Sequence, residues 1–114
     1  MKHFEIHFTP AALDDLHLIE DYMEDYSPHA AHTIRLQIVA KAKELSMFPN
    51  RGKSVSALGY YEPEFRFVAH GKYYIFYKVI GDYVKISRIW HSARDINELL
   101  SQLDFESFEE LDQT

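Results

Sequence analysis

The stretch with the most chemical potential is "RIWHSARDI", residues 88–96, which sets Arg88, His91 and Arg94 three apart and Asp95 beside the last. Histidine titrates near neutral pH, so His91 is the side chain able to both give and take a proton. A neighbouring guanidinium can hold the charge that builds on an attacked phosphate. His91 and Arg94 are therefore a candidate acid/base and charge-stabilising pair for cleaving RNA. The same residues suit a surface that grips a charged partner, with His91 hydrogen-bonded at a strand end. Arg66, Lys78 and Lys85 come from the same part of the chain, interleaved with Phe and Tyr, a pattern that suits RNA. Against this, the lysines can simply solubilise a sheet face while Arg94 pairs with Asp95 at a helix start.

Other chemistries find less support. Among the seven histidines, His3 and His7 are four apart on a strand, about 13 Å along its axis. His29 and His32 have a helical i, i+3 spacing but no carboxylate or cysteine cluster beside them, so no metal is expected. "RGKS" lacks the first glycine of a phosphate-binding loop and the strand before it. No serine sits on a nucleophile elbow. No cofactor is expected.

The elements that position His91 follow from periodicity. "HFEIHF" alternates Phe4, Ile6 and Phe8 with polar residues, a half-buried strand. Thr9-Pro10 is a cap followed by a first-turn proline, and Ala12, Leu16, Ile19, Met23 and Tyr26 form one helical stripe. Ser27-Pro28 repeats the signal for a second helix, striped by Ala31, Ile34, Ile38, Ala42 and Leu45 and running to about Met47. The two make an α-hairpin. A loop over 49–63 precedes three strands at about 64–70, 73–80 and 83–90, joined by the turns "GK" and "GD". Asp95 opens a short helix.

Two-residue turns fix the register and so assign faces. One face collects Val68, Ile75, Tyr77, Val79, Val84, Ile86 and Trp90, with Arg66 and Arg88 among them. The other collects Phe65, Phe67, Tyr74, Phe76, Ile80, Tyr83 and Ile89, with Lys78, Lys85 and Ser87. One hairpin can cover one face, the aliphatic one. The ring-rich face then needs the C-terminal segment or another chain to cover it, because large exposed apolar patches mark partner sites.

The chain has 114 residues, no cysteine and no apolar run long enough for a membrane span, which indicates one domain in a cytoplasmic setting. The net charge of −6 is segregated. Residues 104–114, "DFESFEELDQT", hold five acids and no base, while residues 51–95 hold eight Lys/Arg against four Asp/Glu. The division is a domain over 1–103 and an acidic tail over 104–114. Phe105, Phe108 and Leu111 punctuate that tail, which either solubilises the terminus or lies over the ring-rich face.

The order strand, α-hairpin, loop and three strands ending in "RIWHSARDI" resembles the RelE/ParE superfamily of bacterial type II toxins. The resemblance spans about residues 3–100 and is carried by "AALDDLHLIEDYM", "ELSMFPNRG", "FRFVAHGKYYIFYKV" and "VKISRIWHSARDINELL". It implies a small α+β domain with helices on one face of an antiparallel sheet and the first strand returning to pair within it. The "IFY" strand and the His-x-x-Arg-Asp exit are closer to the ParE branch, associated with poisoning DNA gyrase, than to RelE-like nucleases that cut mRNA on the ribosome. The nucleases' central-strand arginine falls at Tyr74. The resemblance thus implies a growth-inhibiting, plasmid-stabilising toxin that binds its target and is not itself an enzyme, with endoribonuclease as the alternative. Target contacts are expected from Arg66, Lys78, Arg88, His91 and Arg94. A cognate antitoxin is expected on Phe65, Phe67, Tyr74, Phe76 and Ile89, in a toxin–antitoxin hetero-oligomer or alongside a toxin homodimer.

Overall fold

The computed structural model describes residues 3–59 and 64–101. Strand β1 (Glu5–Phe8) leads into helices α1 (Pro10–Glu24) and α2 (Pro28–Lys43), the latter extended by a 3-10 turn, Glu44–Ser46. Strand β2 (Lys53–Ser54) and a second 3-10 turn (Val55–Leu58) precede β3 (Phe65–His70), β4 (Tyr73–Ile80) and β5 (Tyr83–His91). Residues 96–101 begin a last helix, α3. The strands form one five-stranded sheet in the order β1-β5-β4-β3-β2, antiparallel except for β1 beside β5. This is the expected α+β domain, with the first strand returned to the sheet and one additional edge strand.

Local chemistry explains both helix starts. Thr9 and Ser27 are the N-caps, each accepting from a backbone N–H three residues on, Ala12 and Ala30, with proline at the first helical position. α1 stops at Glu24, so Tyr26 falls beyond its stripe and is 71% exposed. Gly71 and Gly81 take φ of 57° and 56° in their turns, which sets His70 opposite Tyr73 and Ile80 opposite Tyr83, as the spacing predicts.

The α-hairpin packs Ala12, Leu16, Ile38, Ala42 and Leu45 against Val68, Ile75, Tyr77, Val84 and Ile86. Strict alternation places Trp90 on this face and Ile89 on the other, and the structure reverses both. Phe76 pairs with Arg88 but Tyr77 pairs with Ile86, leaving Ser87 as an extra residue in β5. One inserted residue inverts the inside–outside pattern beyond it. Ile89 joins the hairpin-side core, and Trp90 joins the ring-side core.

The ring-rich face is not open either. Val55, Leu99 and Leu100 are buried with Phe65, Phe67, Phe76 and Trp90, while Leu58 and Ile96 pack around them. The loop expected over 49–63 supplies part of this lid and α3 the rest. Phe65, Phe67, Phe76 and Ile89, expected to wait for an antitoxin, are interior residues, and only Tyr74 stays half-buried. Burying each of these large rings is worth about 1.5–3 kcal/mol, which is reason enough for the chain to close over them itself.

Candidate functional site

β5 leaves the sheet at His91, which pairs with Tyr73 across β4 and meets its ring edge-on at 5.3 Å. The exit is a tight turn. Ser92 donates its N–H to Lys72 O at 2.8 Å, and Arg94 donates to His91 O at 3.0 Å. The Ala93 N–H donates to His91 Nδ1 at 3.0 Å, so the imidazole accepts there and carries its hydrogen on Nε2. Arg94 lays its guanidinium 3.6 Å over the Trp90 ring and sits 3.8 Å from Glu98. Since Trp90 is 1% exposed, this stacking fixes the arginine's plane while leaving its donors near solvent.

Arg88 is committed differently. Its Nε and Nη2 donate to the two carboxylate oxygens of Asp15 at 2.7 and 2.9 Å, a bidentate pair between β5 and α1. The same carboxylate accepts the Ile89 N–H at 2.9 Å. Side-chain exposure is 13% for Arg88 and 6% for Asp15, so this is an interior clamp that holds the bulged end of β5 to the helix.

The remaining two predicted contacts lie elsewhere. Lys78 binds Glu64 at 2.9 Å, and the ammonium holds that carboxyl below the usual range. Arg66 donates to Gly52 O at 2.9 Å, while Gly52 N–H donates to the Tyr77 hydroxyl at 3.0 Å. Burial pushes the Tyr77 hydroxyl above its ordinary pKa. Along β4, Lys78 is about 17 Å from Tyr73, the partner of His91. The structure therefore gathers Arg88, His91 and Arg94 at one end of the sheet and leaves Arg66 and Lys78 at the other.

At the His91 end, a cleft of about 760 Å³ opens between the α-hairpin and the sheet. Ile19, Tyr22, Met23 and Ile34 face Lys72, Tyr73, His91 and Arg94 across it. Burial raises the Tyr73 hydroxyl above its ordinary pKa. Sequence reasoning passed over Asp15, Tyr22, Lys72 and Tyr73. Asp15 alone carried a signal, an acid set inside the apolar stripe between Ala12 and Leu16. Among the described residues, no three His, Asp or Glu side chains are grouped as metal ligands would be.

A family model described as the ParE toxin of the type II toxin–antitoxin system parDE matches residues 6–96. The chain belongs to this family. Within the wider RelE/ParE superfamily it is 34% identical over 90 residues to a protein named toxin RelE2 from Caulobacter vibrioides, covering 79% of this chain and 97% of that one. The fold matches a solved chain from a chromosomal ParDE system of P. aeruginosa, with TM-score 0.67 and 23% identity over 78% of this chain and 96% of that one. It also matches a chain of the toxin–antitoxin complex RelBE2 from Mycobacterium tuberculosis, with TM-score 0.61 and 26% identity over 82% and 97%.

Proposed function

We propose that the chain is a growth-inhibiting toxin that acts by contact, trapping DNA gyrase on DNA through the β5 exit. The observation that carries this reading is how the sheet's cations are used. Arg66, Lys78 and Arg88 are each engaged by a carbonyl or carboxylate of the chain itself. A nuclease that grips mRNA needs a row of cations free for phosphate, and Tyr74 stands where the family's nucleases carry an arginine. His91, Arg94 and the added Lys72 make a compact polar edge instead, suited to a protein–DNA surface.

A second reading keeps a foothold in the same geometry. His91 and Arg94 line the same cleft, and one relative bears the RelE2 name. In that reading the chain is a ribosome-dependent mRNA endoribonuclease, with His91 as general acid/base and Arg94 stabilising the phosphorane. Either toxin is restrained by a cognate antitoxin, in keeping with the ParDE and RelBE2 toxin–antitoxin systems of the structural relatives. With the ring face closed, the exposed Leu18, Tyr22 and Leu36 of the hairpin are among the apolar residues that could meet it.

Purified chain added to gyrase and relaxed plasmid should stop ATP-dependent supercoiling and leave cleaved DNA after denaturation. Unimpaired supercoiling at saturating chain, together with mRNA cut on programmed ribosomes, would transfer the assignment to the nuclease reading.

A further inference from the structure

The two walls of the cleft beside the β5 exit carry exposed charge of opposite sign. Leu18 and Tyr22, on its helical rim, are 64% and 60% exposed. Tyr26 follows four residues on, its hydroxyl 3.2 Å from that of Tyr22 and the two rings edge-on at 5.5 Å. The three make one apolar stripe open to solvent. Asp14, Asp21 and Asp25 are exposed as well, and Asp25, the C-cap of α1, keeps helical dihedrals of −61° and −25°. By the helical period of about 3.6 residues, all three share the flank of Leu18 and point away from the buried Leu16. Across the cleft stand Lys72 and Arg94. Among the described residues no ion pair uses Asp14, Asp21, Asp25 or Lys72, and Arg94 meets Glu98 only at 3.8 Å.

The two signs decide what fits. An acidic segment drawn to Lys72 and Arg94 would run along the three aspartates, and a basic one drawn to the aspartates would run along the cations. Only a surface with both signs in the same arrangement, turned end for end, matches each flank to its opposite. A second copy of this chain is that surface, and a two-fold axis supplies the turn. The placement of Lys72 agrees. β5 advances alongside α1, from Thr9 at Ser87 to Asp15 at Ile89, and Lys72 bonds Ser92, so Lys72 lies beside the second half of α1. Two α1 helices crossing antiparallel between Leu18 and Tyr22 set residue 14 of one opposite residue 26 of the other. Asp14 of each copy then falls at the end where the other has Tyr26 and Lys72.

We propose that two copies of the chain pair through this surface, α1 against α1, with Leu18 of each on Tyr22 of the other and the acidic flank of each over the other's Lys72 and Arg94. The net charge of −6 opposes association at long range, so only a register that matches the flanks is favoured. The 15 residues of α1 span about 22 Å, which puts the covered area at the small end for specific complexes, below about 1,200 Å² in total. The dimer should therefore come apart on dilution. It covers Arg94 and His91; that this would silence the toxin rests on the contact reading of the β5 exit given above, whereas the pairing itself does not.

Sedimentation of the full chain tests the pairing. The average mass should rise from 13.4 kDa toward twice that as concentration is raised from about 1 μM to about 1 mM. Leu18→Glu and Lys72→Glu, both at exposed positions, should each weaken association at least about tenfold, and adding Asp14→Lys to Lys72→Glu should restore it. A single-copy mass at every concentration would overturn the proposal. So would a dimer indifferent to these substitutions, which would place the contact on another surface. The absence of native cysteine supplies a second readout that needs no disruptive change. With a short bis-maleimide cross-linker, Leu18→Cys should yield covalent dimer roughly tenfold faster than Leu36→Cys, a comparably exposed site on α2. Equal rates would count against the pairing. Neither measurement involves gyrase or ribosomes, so the pairing and the target assignment fail separately.

Discussion

Two interior polar groups dominate at the scale of single residues, and they serve different ends. Asp15 collects two bonds from Arg88 and one from Ile89, all away from solvent. Removing one member of such a pair strands the other charge, so Asp15→Ala should lose about 3–5 kcal/mol in urea unfolding. Replacing both partners by apolar residues should cost much less. Tyr77 is fully buried and its hydroxyl receives the Gly52 N–H. Its folded-state pKa is raised by burial, so its contribution is complete below the unfolded value of about 10 and fades as pH climbs through the higher folded value. Tyr77→Phe should therefore cost about 1 kcal/mol at neutral pH and flatten the alkaline limb of a stability–pH curve. Gly52 explains itself by space: a Cβ there would meet Tyr77 Oη at 2.5 Å and the Phe67 carbonyl oxygen at 2.7 Å. Gly52→Ala should destabilise by about 1–3 kcal/mol in the same unfolding experiment.

Among the elements, β5 joins the fold to the proposed contact surface. Its first half is paired on both sides, by β1 and β4, and the Ser87 bulge then lets its second half turn its side chains over. Thr9 secures the transition by donating to Ser87 O while accepting from Ala12 N–H, so one hydroxyl caps α1 and pins the bulge. Thr9→Val keeps the shape and removes both bonds; a loss of about 1–2 kcal/mol in thermal unfolding is expected. Both caps, both glycine turns and the hairpin stripes were legible in the sequence because each depends on neighbours within four residues. The bulge was not, because an extra strand residue leaves no mark in the alternation until a partner strand reveals the mismatch. For that reason Ile89 and Trp90 exchange faces relative to the simple pattern, and Arg88 meets Asp15 from a helix over seventy residues earlier. The C-terminal part of the lid over the ring face was one of the covers the sequence offered, but the part from the 49–63 loop was hidden, because Val55 reads as an isolated apolar residue until folding brings it to Leu99 and Leu100.

For the molecule as a whole, the arrangement separates stability from exposure. Two cores are sealed by the chain's own segments, and the cleft where the hairpin meets the β5 exit sets the exposed Leu18 and Tyr22 beside Lys72, His91 and Arg94. Family and architecture could be read from the order of elements and the "RIWHSARDI" exit. The roles of individual cations could not, since a lysine bound to Glu64 and one free for phosphate look alike in sequence. The central claim, that the exit works by contact and not by bond cleavage, is tested most directly by titrating the gyrase–DNA cleavage complex with the wild-type chain, Arg94→Ala and His91→Gln. Wild type should raise the yield of cleaved DNA, Arg94→Ala should require at least about tenfold more chain for the same yield, and His91→Gln should keep most of the effect because a contact needs no proton transfer. A flat yield for every variant, with wild type but not His91→Gln cutting mRNA on ribosomes, would contradict it.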